Sequence, residues 1–222
     1  VPSRVLVVGD SVGFTLATGF ERDGLDEEVL VWNQGILYCE LLDLPRREAG
    51  ETRLANHECR DWPRLFAERI AEFDPDVAVL HVGPWEVFDR VEGDRTLSWG
   101  SPELDGRYRA TLAEAVEVRG AEGATVVLLA SPPLDRTDGV SNPEWTMEER
   151  HRIHHLTDLL RQVEGTPPVP TGGVDLAGLV CPTPASGCPG MMTRRTASAR
   201  LSSGCLGNTC THWPATGSMC AG

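Results

Sequence analysis

Two spacings of apolar residues alternate along the chain. Short β-branched runs at Arg4–Val8, Val29–Asn33, Val77–Val82 and Thr125–Ala130 read as buried strands. Between them, apolar residues recur three or four apart. After Gly9-Asp10-Ser11, the stretch Phe14–Phe20 reads as helical. Trp62, Phe66, Ile70 and Phe73 form one helical face behind Asp61, a predicted N-cap, with Pro63 in the first turn. Leu104, Tyr108, Leu112, Ala115 and Val116 form a second behind Ser101 and Pro102. A third follows Thr146, whose capping-box partner is Glu149, with Ile153, Leu156, Leu160 and Val163 inward. The order βαβαβαβα predicts an α/β chain, a three-layer α/β/α sandwich with a mainly parallel sheet. Ligands of such sheets bind at the carboxyl ends of the strands, so chemistry is expected in the loops opening at Gly9, Asn33, Gly83 and Ser131.

Composition narrows the function classes. The chain has 222 residues, 41% of them hydrophobic, which is enough for one good core. Its net charge of −13 repels phosphate backbones and anionic membranes, so nucleic acid is not an expected partner. No run reaches the roughly 18 apolar residues of a membrane helix. The chain opens at Val1-Pro2-Ser3 with neither an initiator Met nor a signal-like segment, which predicts a soluble piece of something longer. From residue 176 onward there is no acidic residue, only Arg194, Arg195 and Arg200, and Cys181, Cys188, Cys205, Cys210 and Cys220 cluster there among Gly, Ser, Thr and Pro. The expected organisation is therefore a domain over residues 1–180 and an atypical tail over 181–222. The chain also uses Arg without a single Lys, which points to a GC-rich coding sequence.

The first predicted strand runs into Gly9-Asp10-Ser11-Val12-Gly13. A serine there stands at a helix N-terminus, where unpaired N–H groups and the helix dipole stabilise an oxyanion. Taken alone, Asp10-Ser11 reads first as a helix cap; the loops that follow change that. The next two loops carry Trp32-Asn33-Gln34-Gly35 and Gly83-Pro84-Trp85-Glu86, again small or hydrogen-bonding residues. With these motifs the chain resembles the SGNH (GDSL-type) hydrolase superfamily over about residues 4–180, with Gly9-Asp10-Ser11 as its first block. Cys59-Arg60-Asp61-Trp62-Pro63 and the segment from Phe73-Asp74-Pro75-Asp76 to Trp85-Glu86-Val87 are similar to SGNH domains linked to bacterial membrane acyltransferases that O-acylate surface polysaccharides.

That resemblance implies a flavodoxin-like sheet and a Ser11 nucleophile, with no cofactor. Ser11 would attack an acyl ester of a glycan, with oxyanion donors from its own amide, from the second block and from Gly83. It also implies an N-terminal membrane acyltransferase domain absent from this chain, and a site on the extracytoplasmic face of a bacterial membrane or in secreted form. The sequence departs from the pattern at three places. Tyr38 stands five residues after Asn33, where the family has a glycine, leaving its backbone amide or nearby Gly35 as donor. Glu86 replaces the asparagine of G-x-x-N, and an ionised carboxylate cannot donate. The D-x-x-H block is missing: the late histidine is His212, followed by Trp213-Pro214-Ala215-Thr216-Gly217, with Thr209 at the aspartate position.

A shifted reading frame with GC-rich codons turns Gly190-Met191-Met192-Thr193 into an aspartate run and Arg195-Thr196-Ala197-Ser198 into Asp-Gly-Val. A frameshift near residue 190 is the expectation that follows. Two function classes stand at this point: a Ser11 and His212 ester-active enzyme, or an SGNH-like accessory domain that has lost its final block. His151, His154 and His155 are expected on an exposed helix face, and His81 as a satisfied strand-end histidine. Cys205 and Cys210 lack a convincing zinc ligand set, so no metal is assigned. Cys39 and Cys59 flank an Arg- and Glu-rich excursion that a disulfide would close.

Overall fold

The computed structural model describes residues 1–22, 28–48, 50–132, 147–165, 169–176, 204–206 and 209–211. In chain order the elements are β1 (Ser3–Gly9), α1 (Ser11–Arg22), β2 (Val29–Gly35), β3 (Arg46–Glu48), β4 (Glu51–Arg53), α2 (Trp62–Phe73) and β5 (Val77–Val82). A 3-10 turn at Pro84–Glu86 follows, then β6 (Arg90–Glu92), β7 (Arg95–Leu97), α3 (Pro102–Gly120), β8 (Thr125–Ala130), α4 (Met147–Val163) and β9 (Thr171–Asp175). Two short strands, β10 (Gly204–Leu206) and β11 (Thr209–Thr211), pair with each other in the tail. The Thr146 cap and most of the tail lie outside the described residues.

Five strands form one parallel sheet in the order β2-β1-β5-β8-β9. This is the expected α/β architecture, extended by β9. Alternate side chains divide its two faces, as period-two geometry requires. Leu6, Val8, Leu80, Val82, Val126 and Leu128 join the main core with residues of α2, α3 and α4. A smaller cluster on the other face brings Leu16 and Val12 of α1 against Val79 and Leu129. Strand order reverses between β1 and β5, so the carboxyl-end crevice opens there.

A second sheet, order β4-β3-β6-β7, is antiparallel and built of three-residue strands. It lies within the connections after β2 and after β5, and it joins them to each other. The excursion before α2 is also stapled by Cys39–Cys59, whose Cα atoms are 5.4 Å apart. By loop entropy that closure contributes roughly 3 kcal/mol. Ser101 caps α3 as predicted, accepting from Leu104 N–H at 3.4 Å. Asp61 occupies the N-cap position of α2 but makes no cap bond, because its carboxylate accepts from Arg64 Nε at 2.6 Å instead. Among the described residues, no helix is long and apolar enough to cross a membrane.

A buried arginine packs among the apolar residues between α2 and α3. Arg119 of α3 is fully buried, its guanidinium 4.4 Å from the Phe66 ring centre and 5.7 Å from that of Trp62. Nη1 donates to the Ala115 carbonyl at 2.7 Å, while Nε and Nη2 have no hydrogen-bond partner. Burial lowers its pKa to about 9, so the side chain stays charged at neutral pH. A desolvated cation held by one carbonyl and two ring faces costs more than an apolar chain of similar length. Arg119→Met is therefore expected to raise stability by about 1–2 kcal/mol in urea denaturation; a loss of that size would contradict this account of the core.

Candidate active site

The chain leaves β1 through Gly9 at φ +139°, a conformation that side-chain-bearing residues rarely adopt, and a Cβ there would run into the His81 carbonyl. The turn sends Asp10 inward. Its Oδ1 accepts from Val12 N–H at 2.8 Å and Gly13 N–H at 3.4 Å, so Asp10 caps α1. Ser11 follows in the first helical turn, only partly buried, with its amide at the positive end of a 12-residue helix. It stands beside the crevice where strand order reverses.

Asp10 is 1% exposed and serves two further neighbours. Oδ2 presses on Gly83, where any Cβ would overlap it. Oδ1 lies 3.0 Å from Nδ1 of His81, a buried side chain at the end of β5. The strand-end position was expected, but the histidine is not satisfied, since neither ring nitrogen makes an aligned hydrogen bond. The approach is an electrostatic contact only.

The loop after β2 is docked against α1. Asn33 Nδ2 donates to the Phe14 carbonyl at 2.9 Å and to Thr18 Oγ1 at 3.0 Å, and its Oδ1 accepts from Gly35 N–H at 3.2 Å. A Cβ on Gly35 would sit 2.6 Å from the Phe14 nitrogen. Gly35 is thus a packing glycine, and its amide donates to Asn33. Ile36 N–H then bonds the Gly9 carbonyl at 2.8 Å, fixing this loop beside the serine turn. Tyr38 follows at φ 59°, left-handed backbone that costs a non-glycine residue on the order of 1 kcal/mol. The glycine that the resemblance calls for at this position matches that backbone; the tyrosine occupies it regardless.

Glu86 departs furthest from its expected role. It is 2% exposed, with Oε1 accepting from Leu41 N–H at 2.5 Å and Oε2 paired with Arg90 Nη2 at 3.2 Å. Oε1 thereby holds the loop after β2, and Oε2 holds the start of β6. Glu86, which motif position offers as a substrate-binding residue, is thus engaged within the protein. Desolvation pushes its carboxyl up to about 7 despite Arg90. Arg90 also pairs with buried Glu40 and donates to the carbonyls of Leu44 at 3.1 Å and Trp85 at 2.9 Å. Arg46 meets the same Glu40 and bonds Glu48 at 3.0 Å.

The structure thus places Gly9, Asp10 and Ser11 after or at the end of β1, Asn33, Gly35 and Tyr38 at or after the end of β2, and Gly83 and Glu86 after β5, all at the carboxyl ends of neighbouring parallel strands. His212 lies outside the described residues, as do the reading-frame expectations for residues 190–198. Sequence reasoning missed Glu40 and Arg46, which read only as part of the polar excursion between Cys39 and Cys59, and Arg90, which carries no motif. His155 is not simply exposed, because its Nε2 lies 2.9 Å from Asp105 Oδ2. Among the described residues, no group of three His, Cys, Asp or Glu is arranged to hold a metal ion.

The raised Glu86 carboxyl has a measurable consequence. Between its unfolded value near 4.5 and about 7, the folded protein holds a proton that the unfolded chain has released. Stability from this group is complete below the lower value and is lost as pH rises through the upper one. Urea midpoints of the wild type should therefore fall between pH 5 and 8, by on the order of 2 kcal/mol. Glu86→Gln keeps the Leu41 contact without the titration, so its pH dependence should be flatter; parallel curves would contradict this.

No curated protein sequence matches the chain. Solved structures match its fold. A Streptococcus pneumonia protein provisionally described as a platelet activating factor superposes with a TM-score of 0.58 at 12% identity, covering 91% of this chain and 81% of its own. Est24, a carbohydrate acetylesterase from Sinorhizobium meliloti, gives 0.54 at 14% identity, and the M. Smegmatis aryl esterase 0.53 at 13%, each covering 90% of this chain and 94% of its own. At these identities the likeness is one of fold alone, that of a three-layer α/β/α sandwich. A family model described as a protein of unknown function, DUF459, matches residues 4–142, more than half of the sequence, and the chain belongs to that family.

Proposed function

We propose that this domain is an SGNH-type serine esterase or O-acyltransferase that acts on acyl esters of cell-surface carbohydrate. The observation that carries the reading is the placement of Ser11. It is partly accessible, in the first turn of α1, beside the crevice between β1 and β5. In this mechanism Ser11 Oγ bonds to the acyl carbon as its proton passes to a base, the role the resemblance gives to His212. The carbonyl oxygen becomes an oxyanion facing the Ser11 amide and the α1 dipole. Gly83 and Tyr38 belong to the loops on either side, and their amides are the further donors. Collapse expels the alcohol, which takes the proton from the base. Water or a sugar hydroxyl then attacks the acyl-enzyme and releases Ser11.

The Cys39–Cys59 disulfide supports an oxidising, extracytoplasmic setting. A membrane acyltransferase domain on a longer form of the chain belongs to the same proposal and would supply the acyl group. The non-catalytic reading draws on Glu86: where the pattern has a donating asparagine, this chain has a buried carboxylate committed to Leu41 and Arg90. The two readings separate by assay. With p-nitrophenyl acetate, Ser11→Ala is expected to lower kcat/KM at least about 100-fold while leaving the thermal midpoint within a few degrees. Equal rates for wild type and variant would leave the accessory-domain reading in place.

A further inference from the structure

The two loops flanking Ser11 each present an aromatic ring that the chemistry above does not use. Tyr38 lies two residues beyond Ile36, whose N–H bonds the Gly9 carbonyl. Trp85 lies two residues beyond Gly83, which abuts the Asp10 carboxylate. The rings meet with centroids 5.0 Å apart and planes tilted by 57°. Tyr38 is 52% exposed. It is held there in left-handed backbone, which an aromatic residue adopts against its own preference.

This corner is rigid. Trp85 stacks on Phe88, centroids 6.3 Å apart at 13°, and the Arg46 guanidinium covers both rings at 5.1 and 5.9 Å. Arg46 is locked in turn by Glu40 and Glu48. Around Tyr38, Asn56 Nδ2 donates to the Leu37 carbonyl at 2.6 Å, and the neighbouring Cys39 is tied to Cys59. An exposed Tyr38 backed by a half-buried Trp85 on pinned loops is preorganised to bind, because little side-chain freedom remains to be lost.

Resting on the esterase reading, we infer that the Tyr38 and Trp85 rings form the subsite that seats the sugar ring of an O-acylated, uncharged carbohydrate, making Tyr38 the residue that selects it. The acidic chain disfavours an anionic ligand. With centroids 5.0 Å apart and planes tilted by 57° the rings pack on each other and leave no slot for a flat aryl group, whereas the exposed side of Tyr38, backed by Trp85, offers an apolar platform to the C–H face of a pyranose chair.

The test is a ratio. Hydrolysis of glucose pentaacetate and of ethyl acetate is followed by pH-stat in wild type, Tyr38→Gly and Tyr38→Phe. Glycine suits the left-handed backbone and keeps the amide, so the variant removes the ring alone. The kcat/KM ratio of sugar ester to ethyl acetate is expected to fall about tenfold in Tyr38→Gly and to stay within twofold in Tyr38→Phe. An unchanged ratio in Tyr38→Gly overturns the inference. Absence of hydrolysis in the wild type contradicts the esterase reading, and the subsite is then read by binding. Saturation-transfer NMR of glucose pentaacetate should give signal with the Ser11→Ala protein and lose it in the Ser11→Ala, Tyr38→Gly double variant. Equal signal, or none with either protein, overturns the subsite.

Discussion

A single buried guanidinium fastens together the two loops around the serine. Arg90 reaches Glu40 and the Leu44 carbonyl in the connection after β2, and the Trp85 carbonyl and Glu86 carboxylate in the turn after β5. Desolvating a guanidinium is expensive, and the cost is reduced where its donors find acceptors and its charge finds partners. Here two buried carboxylates, Glu40 and Glu86, face Arg90 and Arg46. The planar fork suits this task, since one nitrogen serves each loop and a lysine ammonium could not span both. The small antiparallel sheet rests on the same contact, because β6 begins at Arg90 and pairs with β3 at Arg46.

Steric economy places the serine turn on that frame. Gly9, Gly35 and Gly83 each stand where a side chain would collide with a neighbouring loop or helix: the His81 carbonyl, the Phe14 backbone and the Asp10 carboxylate respectively. The three strand ends approach so closely that backbone lines the crevice. Asp10 links them, capping α1, pressing on Gly83 and meeting His81. Ser11 is thereby set at a helix N-terminus beside the loops that follow β2 and β5. On the proposed reading, amides of those loops join that of Ser11 around an oxyanion.

Much of this frame was legible from apolar spacing. The strands and helices at Arg4–Val8, Val77–Val82, Thr125–Ala130, 62–73 and 102–120 bury enough regular surface for their period to show. β9 was missed because Thr171–Asp175 contains two glycines and little apolar pattern. The antiparallel sheet was missed because Arg-Arg-Glu and Glu-Thr-Arg have no hydrophobic alternation; pairing and the buried ion cluster hold them. Motif spacing located Ser11, Asn33, Gly83 and Glu86 correctly at the strand ends. It could not tell that the Gly35 amide is engaged by Asn33, or that Glu86 points into the core, because hydrogen-bond partners distant in sequence decide both. Tyr38 shows the opposite case. The mismatch with a glycine motif was visible in the sequence, and the left-handed backbone gives it a physical meaning.

The central claim is that the placement of Ser11 activates its hydroxyl for attack. Incubation with a fluorophosphonate, followed by mass spectrometry of the intact protein and its peptides, tests this without assuming any substrate. One adduct is expected, mapped to Ser11 and abolished by prior denaturation of the protein. A protein that remains unlabelled, or is labelled equally at scattered serines, would contradict it.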